Sequence, residues 1–274
     1  MVDFNGLHIV ITGAASGLGR LMTERLLRAG ATVHAVDVNA DGLQELQASI
    51  EADARGRVLP YACDLSNRRS IAATADQIQH ACPAVDILIN NAGIVSGRPL
   101  LEISDEQIER TFAVNTLALF WLTRAFLPAM VRRDAGHIVT IASAGGLVGT
   151  ARLTDYCASK FAAVGFDDSL RLELKRLNSR IRTTVVCPFY INTGMFAGVH
   201  TRFPWLLPIL EPDYVVDRTL DAIRRGRRRL IMPRFVLSVF LARLLPTEWF
   251  DAVMSFFGIS KSMDDFVGRR GREG

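Results

Sequence analysis

The chain has 274 residues, of which 49% are hydrophobic and 22% charged, an ordinary balance for a globular protein with a substantial core. The formal charge of +4 is concentrated in two arginine clusters, at 224–229 and 269–272, so a nucleic-acid-binding surface over the whole protein is excluded. No uninterrupted apolar run approaches the ~20 residues of a membrane-spanning helix, and the N-terminus lacks the pattern of a signal peptide.

Short β-branched runs alternate with helix-like stretches from the start of the chain. The run LHIVIT (7–12) predicts a buried strand, and the helix at 19–30 follows it, with Gly30 as its C-cap. The remaining predicted strands are 32–37, 57–66, 86–93, 136–143, 182–188 and 229–233, and the remaining predicted helices are 41–52, 67–81, 104–132 and 155–179.

This alternation predicts βαβ units and therefore a parallel sheet that is covered on both faces. We expect an α/β fold of the Rossmann type, a doubly wound parallel sheet of about seven strands with helices on both faces. Residues 1–274 are expected to form a single domain, with an apolar and basic C-terminal extension at about 234–274.

The four cysteines, Cys63, Cys82, Cys157 and Cys187, show no CxxC or other metal-ligand spacing. Three of them lie in or beside apolar runs, where a free cysteine behaves as a small hydrophobic residue. We therefore expect reduced thiols, a cytoplasmic protein and no metal site.

The sequence ITGAASGLGR connects the first predicted strand to the first predicted helix. Glycines at 13, 17 and 19 let the backbone turn sharply and approach a pyrophosphate, while the helix N-terminus offers free N–H groups and the positive end of its dipole. The strand before and the helix after make this glycine triplet a stronger signal than it is alone. The contacts predicted here are Gly13, Ser16, Gly17, Leu18 and Gly19.

Asp37 ends the second strand, 18 residues beyond Gly19. A carboxylate there accepts hydrogen bonds from a ribose diol and repels a 2′-phosphate, which favours NAD over NADP. The alternative is a helix N-cap or turn residue. Later motifs, CDLS and NNAG, are turn signals when they stand alone, but their order after the glycine loop favours cofactor contact by Asp64, Leu65, Asn91, Ala92 and Gly93.

Together with Asn115 in VNT, Ser143 and YCASK (156–160), these motifs resemble the short-chain dehydrogenase/reductase family over residues 7 to about 195. The resemblance implies that Tyr156 and Lys160 are the catalytic pair. At i and i+4 they share a helix face, and an ammonium beside a phenol lowers the phenol's pKa. Tyr156 would then exchange a proton with the substrate, and Lys160 would also hold the nicotinamide ribose.

The same resemblance assigns roles to other residues. Ser143 would hold the substrate oxygen, and Asn115 would order a water that relays protons from Lys160, although each has a structural alternative, a strand-end cap and a satisfied buried amide respectively. Where the family commonly has Pro-Gly, this chain has Pro188-Phe189. Pro188 and Thr193 remain expected nicotinamide and phosphate contacts, while the backbone conformation at Phe189 is left open.

The finer resemblance is to the branch that holds retinol dehydrogenases and some hydroxysteroid dehydrogenases. At residues 194–210 the family covers its substrate, and the apolar side chains there imply a lipophilic alcohol or carbonyl compound, unless they pack in the fold or a subunit interface. Residues 230–258 suit an interfacial amphipathic helix pair, with the arginines of 224–229 attracted to anionic lipid, or else core and oligomer packing.

The leading hypothesis is an NAD-dependent alcohol dehydrogenase or ketoreductase that forms a homodimer or homotetramer through its long helices. One alternative is an NADPH-dependent carbonyl reductase, which Asp37 and the absence of a basic residue in the glycine loop disfavour. The other alternative is a nucleotide-binding scaffold that has lost the reaction, and the four intact catalytic positions argue against it. Nucleic acid is not an expected partner, since the basic clusters lack interleaved aromatic residues.

Overall fold

The computed structural model describes residues 1–50, 54–82 and 84–268. Seven strands in this part of the chain form one parallel sheet in the order β3-β2-β1-β4-β5-β6-β7. The strands are β1 His8–Thr12, β2 Thr32–Asp37, β3 Arg57–Ala62, β4 Ile87–Asn90, β5 His137–Ile141, β6 Arg182–Pro188 and β7 Arg229–Met232. The predicted doubly wound α/β fold is confirmed.

Helices connect consecutive strands, and two short helices follow β7. Their bounds are α1 Gly17–Arg28, α2 Ala40–Ala48, α3 Arg68–Ala81, α4 Asp105–Phe112, α5 Ala118–Arg132, α6 Thr154–Arg176, α7 Pro212–Arg225, α8 Val239–Ala242 and α9 Thr247–Phe256. Helix α7 was not predicted. It begins with proline at its first position and ends at Gly226, which adopts the left-handed conformation, so both boundary signals were present in the sequence.

The core lies on both faces of the sheet because successive strand side chains point to opposite faces. In β1, Ile9 and Ile11 pack with α1 and α7 residues, whereas Val10 packs with residues of α3 and α5 on the other face. All three are fully buried. The continuous apolar run that predicted a buried strand is therefore explained by burial on both faces.

The strand order reverses between β1 and β4, because β1 pairs with β2 on one side and with β4 on the other. In an open parallel sheet, ligands bind at the carboxyl ends of the strands beside this switch point. The glycine loop after β1 and the NNAG sequence after β4 meet there. The fold thus brings together motifs that lie nearly 80 positions apart, as the Asn91 to Thr12 hydrogen bonds show.

The predicted single helix at 104–132 is instead two α-helical segments joined by a π-helical turn, Ala113–Leu117. Against the sequence expectation, residues 105–132 together have the length and mean hydropathy of a membrane-spanning helix. Within this segment, however, Thr116 Oγ1 donates to Ser159 O of α6 at 3.2 Å. The segment is therefore packed as a helix of the folded domain.

The arginine cluster at 224–229 does not lie beside the apolar C-terminal segment, residues 234–268. Arg229 is the first residue of β7 and pairs with Asp168, at the amino-terminal edge of the sheet, whereas residues 234–268 follow the carboxyl end of that strand. Arg224 lies over the Phe4 ring and Arg225 pairs with Asp221. The arginines of 269–272 lie outside the described residues.

The carboxyl group of Asp167 is buried in this scaffold, with no ion pair to it among the described residues. Asp167 of α6 is 1% exposed, and burial raises its pKa to about 7. The Thr183 hydroxyl and nearby arginine charges act in the opposite direction, but only in part. Since the folded state holds the proton more tightly than the unfolded state, the carboxyl group destabilises the fold progressively as pH rises from about 4 to about 7.

We therefore predict that Asp167→Asn increases thermal stability relative to the wild-type protein at pH 8 and has a smaller effect at pH 4.5. The amide cannot ionise, so the variant avoids the cost of burying a carboxylate. Melting temperatures of both proteins across this pH range measure the effect. Asp168→Asn, which removes an ion-paired acid next to it, is expected to be destabilising at pH 8. A stability difference for Asp167→Asn that does not change with pH would contradict the assignment.

Candidate active site

A continuous cavity opens at the carboxyl edge of the sheet and runs from the glycine loop to a group of aromatic side chains. It brings together most of the residues that the sequence predicted. Those that line it are Gly13, Ser16, Gly17, Leu18, Asn91, Ala92, Gly93, Ser143, Tyr156, Lys160, Pro188 and Thr193. Gly19, Asp37, Asp64, Leu65 and Asn115 were also predicted and lie outside this lining.

The glycine loop is folded tightly onto the end of β4. Gly13 has a φ of +67°, a conformation that L side chains rarely adopt. A Cβ at Gly19 would lie 2.0 Å from Gly13 O and 2.7 Å from Asn91 Nδ2, so only glycine fits there. Thr12 Oγ1 accepts hydrogen bonds from the N–H groups of Asn91 and Ala92, at 2.9 and 3.0 Å. Gly19 therefore acts by packing and does not line the cavity.

Asp37 fixes the glycine loop to the end of β2. Its Oδ2 accepts a hydrogen bond from Ala15 N at 2.9 Å, and its Oδ1 accepts one from Asn39 N at 3.0 Å. The turn role that was the alternative reading is thus present in the structure. Each carboxylate oxygen can accept a second hydrogen bond, so a ribose contact is compatible with this arrangement.

Asp64 and Leu65 follow β3 at the same edge. Asp64 is exposed, and its Oδ1 accepts hydrogen bonds from Ser66 N at 2.8 Å and from Ser66 Oγ at 2.7 Å. Leu65 is buried among core side chains. The turn chemistry of the CDLS sequence is therefore seen directly, and an adenine contact by Asp64 stays a prediction.

Tyr156 and Lys160 both lie on α6 and are almost fully buried, at 5% and 4% exposure. Lys160 Nζ donates a hydrogen bond to Ile141 O at the end of β5, at 2.9 Å, and lies 5.7 Å from the centre of the Tyr156 ring. Burial lowers the pKa of Lys160 to about 8. The helix thus places an ammonium group and a phenol at one cavity wall, with the ammonium fixed to the sheet.

In the protein on its own, burial outweighs any lowering of the Tyr156 pKa by Lys160. Burial raises the pKa of this phenol well above its usual value, and a hydrogen bond with Ser143 opposes the shift only in part. The Lys160 ammonium donates its hydrogen bond to the Ile141 carbonyl, and Lys160 is not among the groups that shift the Tyr156 pKa most. Ser143 itself follows β5, and its Oγ accepts a hydrogen bond from Gly145 N at 3.0 Å.

Asn115 lies in the π-helical turn, and both the oxygen and the nitrogen of its side-chain amide are hydrogen-bonded. Its Oδ1 accepts from Ile94 N at 2.8 Å, while its Nδ2 donates to Ile94 O at 2.9 Å and to Ser159 Oγ at 3.0 Å. These contacts match the alternative reading of a satisfied buried amide. Asn115 Oδ1 and Lys160 Nζ nevertheless face the same small space at Gly93, 3.4 and 3.3 Å from the position of a Cβ there.

The other half of the cavity is apolar. Its lining includes Val148, Leu153, Phe189, Tyr190, Met195, Phe196 and Ile259. The Phe196 ring packs edge-on against Tyr156, with 5.6 Å between ring centres. Phe189 is absent from the described residues with positive φ, so replacing the family's glycine has not strained the backbone.

Residues 259–268, called here the C-terminal segment, cover this apolar half. The Tyr190 hydroxyl and Ser262 Oγ are hydrogen-bonded at 2.8 Å, and Val267 N donates to Ala197 O at 2.9 Å. Gly97 has a φ of +67°, and the Phe266 ring occupies the place that a side chain would take there. The C-terminal segment is therefore part of the wall of the site.

The residues present fit a nicotinamide dinucleotide. The turn at Gly13 and the N-terminus of α1 form an anion cradle next to the carboxylate of Asp37, and no Cβ fits at Gly19. Lys160 at the far end is a buried cation that could donate to ribose hydroxyls. Such a cofactor would supply a hydride acceptor or donor at the apolar half of the cavity.

Comparison with known proteins identifies the family. A family model described as short chain dehydrogenase matches residues 7–202. The chain belongs to the short-chain dehydrogenase/reductase family. It is 44% identical over 269 residues to short-chain dehydrogenase/reductase family 16C member 6 of Bos taurus, covering 97% of this chain and 85% of that protein. It is 43% identical over 267 residues to epidermal retinol dehydrogenase 2 of Mus musculus, covering 97% and 86%. The predicted family and branch are confirmed.

Solved structures of this family have the same fold. A short-chain dehydrogenase/reductase from Burkholderia phymatum in complex with NAD matches with a TM-score of 0.77 at 27% identity, covering 89% of this chain and 95% of that one. One from Sphingobium yanoikuyae in complex with NADPH also matches with a TM-score of 0.77 at 27% identity, covering 97% and 99%. The protein is an NAD(P)-dependent oxidoreductase of the alcohol dehydrogenase or ketoreductase type.

Several residues that organise the site were not predicted from the sequence. Asp155 is buried beside Tyr156, and its carboxylate accepts hydrogen bonds from Ser96 Oγ and Thr111 Oγ1, both at 2.9 Å. It thereby ties the start of α6 to α4 and to the loop after β4. Thr12, directly before the glycine loop, was visible in the ITG sequence, whereas no local pattern indicated Asp155.

We predict that Gly19→Ala lowers the free energy of unfolding by ~1–3 kcal/mol and weakens cofactor binding, because the added methyl group overlaps Gly13 O and forces the loop from β4. Thermal denaturation and equilibrium titration with NAD measure the two effects.

Gly165→Ala is the matched control. A Cβ at this position in α6 meets no atom within 4 Å, so the change is expected to stabilise the helix by ~0.5–1 kcal/mol. Unchanged stability and cofactor affinity of Gly19→Ala would show that the loop does not pack as described.

Proposed function

We propose that this protein interconverts a lipophilic alcohol and its carbonyl compound, with NAD as the preferred cofactor. The observation that carries the proposal is the continuous cavity in which Tyr156 lies between the glycine loop and the apolar half. A hydride can pass only between groups held in contact, and this cavity offers the substrate and nicotinamide adjoining places. The coarser statement, an oxidoreductase of this family, follows from the comparisons above.

Proton transfer is the part of the reaction that side chains of the protein carry out. In alcohol oxidation Tyr156 Oη, as the phenolate, would accept the proton of the substrate hydroxyl, and in carbonyl reduction the phenol would donate it back. A bound nicotinamide would supply the hydride acceptor or donor. Since burial raises the pKa of Tyr156, the phenolate needs positive charge nearby, which the buried Lys160 ammonium and an oxidised nicotinamide would supply. Ser143 Oγ would hold the reacting oxygen at the phenol.

The substrate class is inferred from the apolar half of the cavity. Phenylalanine, methionine, leucine and isoleucine side chains dominate it, and the polar groups gather at Ser143 and Tyr156. A site of this kind binds an apolar molecule that carries one hydroxyl or carbonyl group. Relatives named retinol dehydrogenases support a retinoid, steroid or long-chain alcohol.

The preference for NAD is inferred from Asp37. Its carboxylate is fixed by Ala15 N, and the glycine loop, residues 13–19, contains no basic side chain that could neutralise a 2′-phosphate. A second phosphate charge next to this carboxylate would be repelled. Neighbouring family structures hold either NAD or NADPH, so this local charge is the support for the preference.

A homodimer or homotetramer is inferred from apolar side chains on the long helices. Leu117, Phe120 and Val131 on the α4–α5 segment are each more than 40% exposed, and Phe161 and Leu172 of α6 are exposed as well. Apolar exposure along two long helices is typical of a surface that is buried in an assembly.

Peripheral membrane contact is inferred for another surface, the apolar C-terminal patch, which comprises Leu237, Leu241, Leu244, Leu245 and Trp249. Leu244 is 81% and Trp249 70% exposed, and aromatic and aliphatic side chains of this kind enter the boundary of a bilayer. This part of the chain also leads directly to Ile259 in the cavity wall. A lipophilic substrate could thus reach the site from a membrane.

We predict that the wild-type protein reduces NAD when supplied with a retinoid, steroid or long-chain alcohol, and that Tyr156→Phe lowers kcat by roughly 10²–10⁴-fold. Cofactor binding is expected to persist, because the phenol acts on the proton. Absorbance of the reduced nicotinamide and titration with NAD give the two quantities. Tight NAD binding without turnover of any such alcohol or carbonyl would instead support a catalytically silent nucleotide-binding protein.

Asp37→Asn is predicted to lower the ratio of NAD affinity to NADP affinity by roughly tenfold, because the carboxylate no longer repels the 2′-phosphate. Asp41→Asn removes an exposed acid four residues further on and should leave the ratio unchanged. Dissociation constants of the wild-type protein and of the two variants for NAD and NADP measure the effect. A wild-type protein that binds NADP more tightly than NAD would contradict the preference.

Leu244→Glu combined with Trp249→Glu is predicted to weaken binding to anionic phospholipid vesicles by more than roughly tenfold, since two exposed apolar anchors are lost. Leu177→Glu, which changes an exposed leucine at the end of α6, serves as the control and should bind vesicles normally. Vesicle co-sedimentation measures the binding. If the wild-type protein does not sediment with vesicles, the patch has another role.

A further inference from the structure

At the amino-terminal edge of the sheet, opposite to the active site, two histidines and a cysteine converge. His8 begins β1, His34 lies in β2, and Cys82 follows the last turn of α3. Their donor atoms, Nδ1 or Nε2 of the histidines and Sγ of the cysteine, all lie within 4.8 Å of one another. His34 and Cys82 are at most 3% exposed, and His8 is partly exposed.

We propose that His8, His34 and Cys82 form a binding site for a divalent metal ion of the zinc class, which clamps β1, β2 and the end of α3 together. The site is separate from the dehydrogenase site and does not depend on the proposed function. The spacing of the cysteines in the sequence could not indicate this site, because each ligand comes from a different element of the fold.

The two imidazoles already have the spacing that such an ion requires. His8 Nδ1 and His34 Nε2 are 3.1 Å apart. Zinc–nitrogen bonds of ~2.0–2.1 Å in a tetrahedron place two nitrogen ligands ~3.3–3.4 Å apart. An ion can therefore take the place of the proton that the two rings share, with a displacement of only a few tenths of an ångström.

The surroundings match those of a metal-ligating histidine. Such a residue commonly donates its second ring N–H to a neighbouring oxygen, which fixes the ring. His34 has this partner, since its Nδ1 lies 3.2 Å from the Tyr61 hydroxyl of β3. Two imidazoles and one thiolate suit zinc and cobalt better than magnesium or calcium.

The third ligand and the fourth position are also available. Cys82 is the residue at which α3 ends, with extended backbone, so its sulfur can approach the histidines without disturbing a helix. On binding, its thiol loses the proton to solvent as the metal–sulfur bond forms. The partly exposed side of His8 leaves the fourth position to water. The carboxylate of Asp86 accepts hydrogen bonds from His8 N and Arg133 Nη1 and is therefore already engaged.

The test uses untagged protein that has been freed of metal by a chelator. Cobalt(II) is added as the probe, because tetrahedral cobalt with a thiolate ligand has strong visible bands and a sulfur-to-metal charge-transfer band. We expect one equivalent to give both features, and zinc to displace it. Zinc should also raise the melting temperature, because it binds the folded state.

Two variants and one control assign the signal. Cys82→Ser should lose the charge-transfer band, and His8→Asn, a change at the partly exposed ligand, should lose the stoichiometric cobalt spectrum while the protein remains folded. Cys63→Ser removes another buried thiol of the same core and should behave as wild type.

Two results would overturn the proposal. One is a weak cobalt spectrum typical of six-coordinate, adventitious binding, with no effect of zinc on melting. The other is a charge-transfer band that survives in Cys82→Ser. Either would show that the histidines and Tyr61 form a hydrogen-bonded chain and nothing more.

Discussion

The geometry of the active site depends on one hydrogen bond, between the buried ammonium of Lys160 and the carbonyl oxygen of Ile141. A charged amine is costly to bury and is retained in a core only where polar groups receive it. Here no carboxylate is among the groups that shift its pKa, and burial lowers that pKa to about 8. The ammonium fixes the first turns of α6 to the end of β5, and with them the position of Tyr156.

Other contacts converge on the same helix. Asp155 anchors its first turn to the loop after β4, and Ser159 receives the amide of Asn115 from the π-helical turn. Helix α6 is therefore held by the sheet, by α4 and by the π-helical turn, all close to the phenol. This agrees with a site in which the position of a proton-transfer group is set by rigid elements before a substrate arrives.

The parts of the site that could be predicted are those marked by a short sequence motif. The glycine loop, Asp37 and the Tyr156–Lys160 pair each combine a spacing with a neighbouring strand or helix, so their positions followed from the order of the elements. The hydrogen-bond partner of the Lys160 ammonium could not be predicted in this way. The i, i+4 spacing places Lys160 on the face of Tyr156, but only the fold shows that its ammonium points to Ile141.

Contacts between residues far apart in the chain are not marked by any local sequence motif. Tyr190 with Ser262 and Gly97 with Phe266 join segments with no shared periodicity, and together they make the C-terminal segment a wall of the cavity. The arginines at 224–229 show that neighbours in sequence can lie at opposite edges of the sheet. They are neighbours of the apolar segment in sequence, but β7 separates them from it, because a strand carries the chain from one edge of the sheet to the other.

The most direct test is the ionisation of Lys160. The chain has three lysines, Lys160, Lys175 and Lys261, so ¹³C labelling of lysine gives a simple NMR spectrum that Lys175→Arg and Lys261→Arg assign. A pH titration should show Lys160 losing its proton near pH 8 in the protein without cofactor. A Lys160 that titrates at its ordinary value of 10.5 would place the ammonium in solvent and contradict the buried anchor on which the site depends.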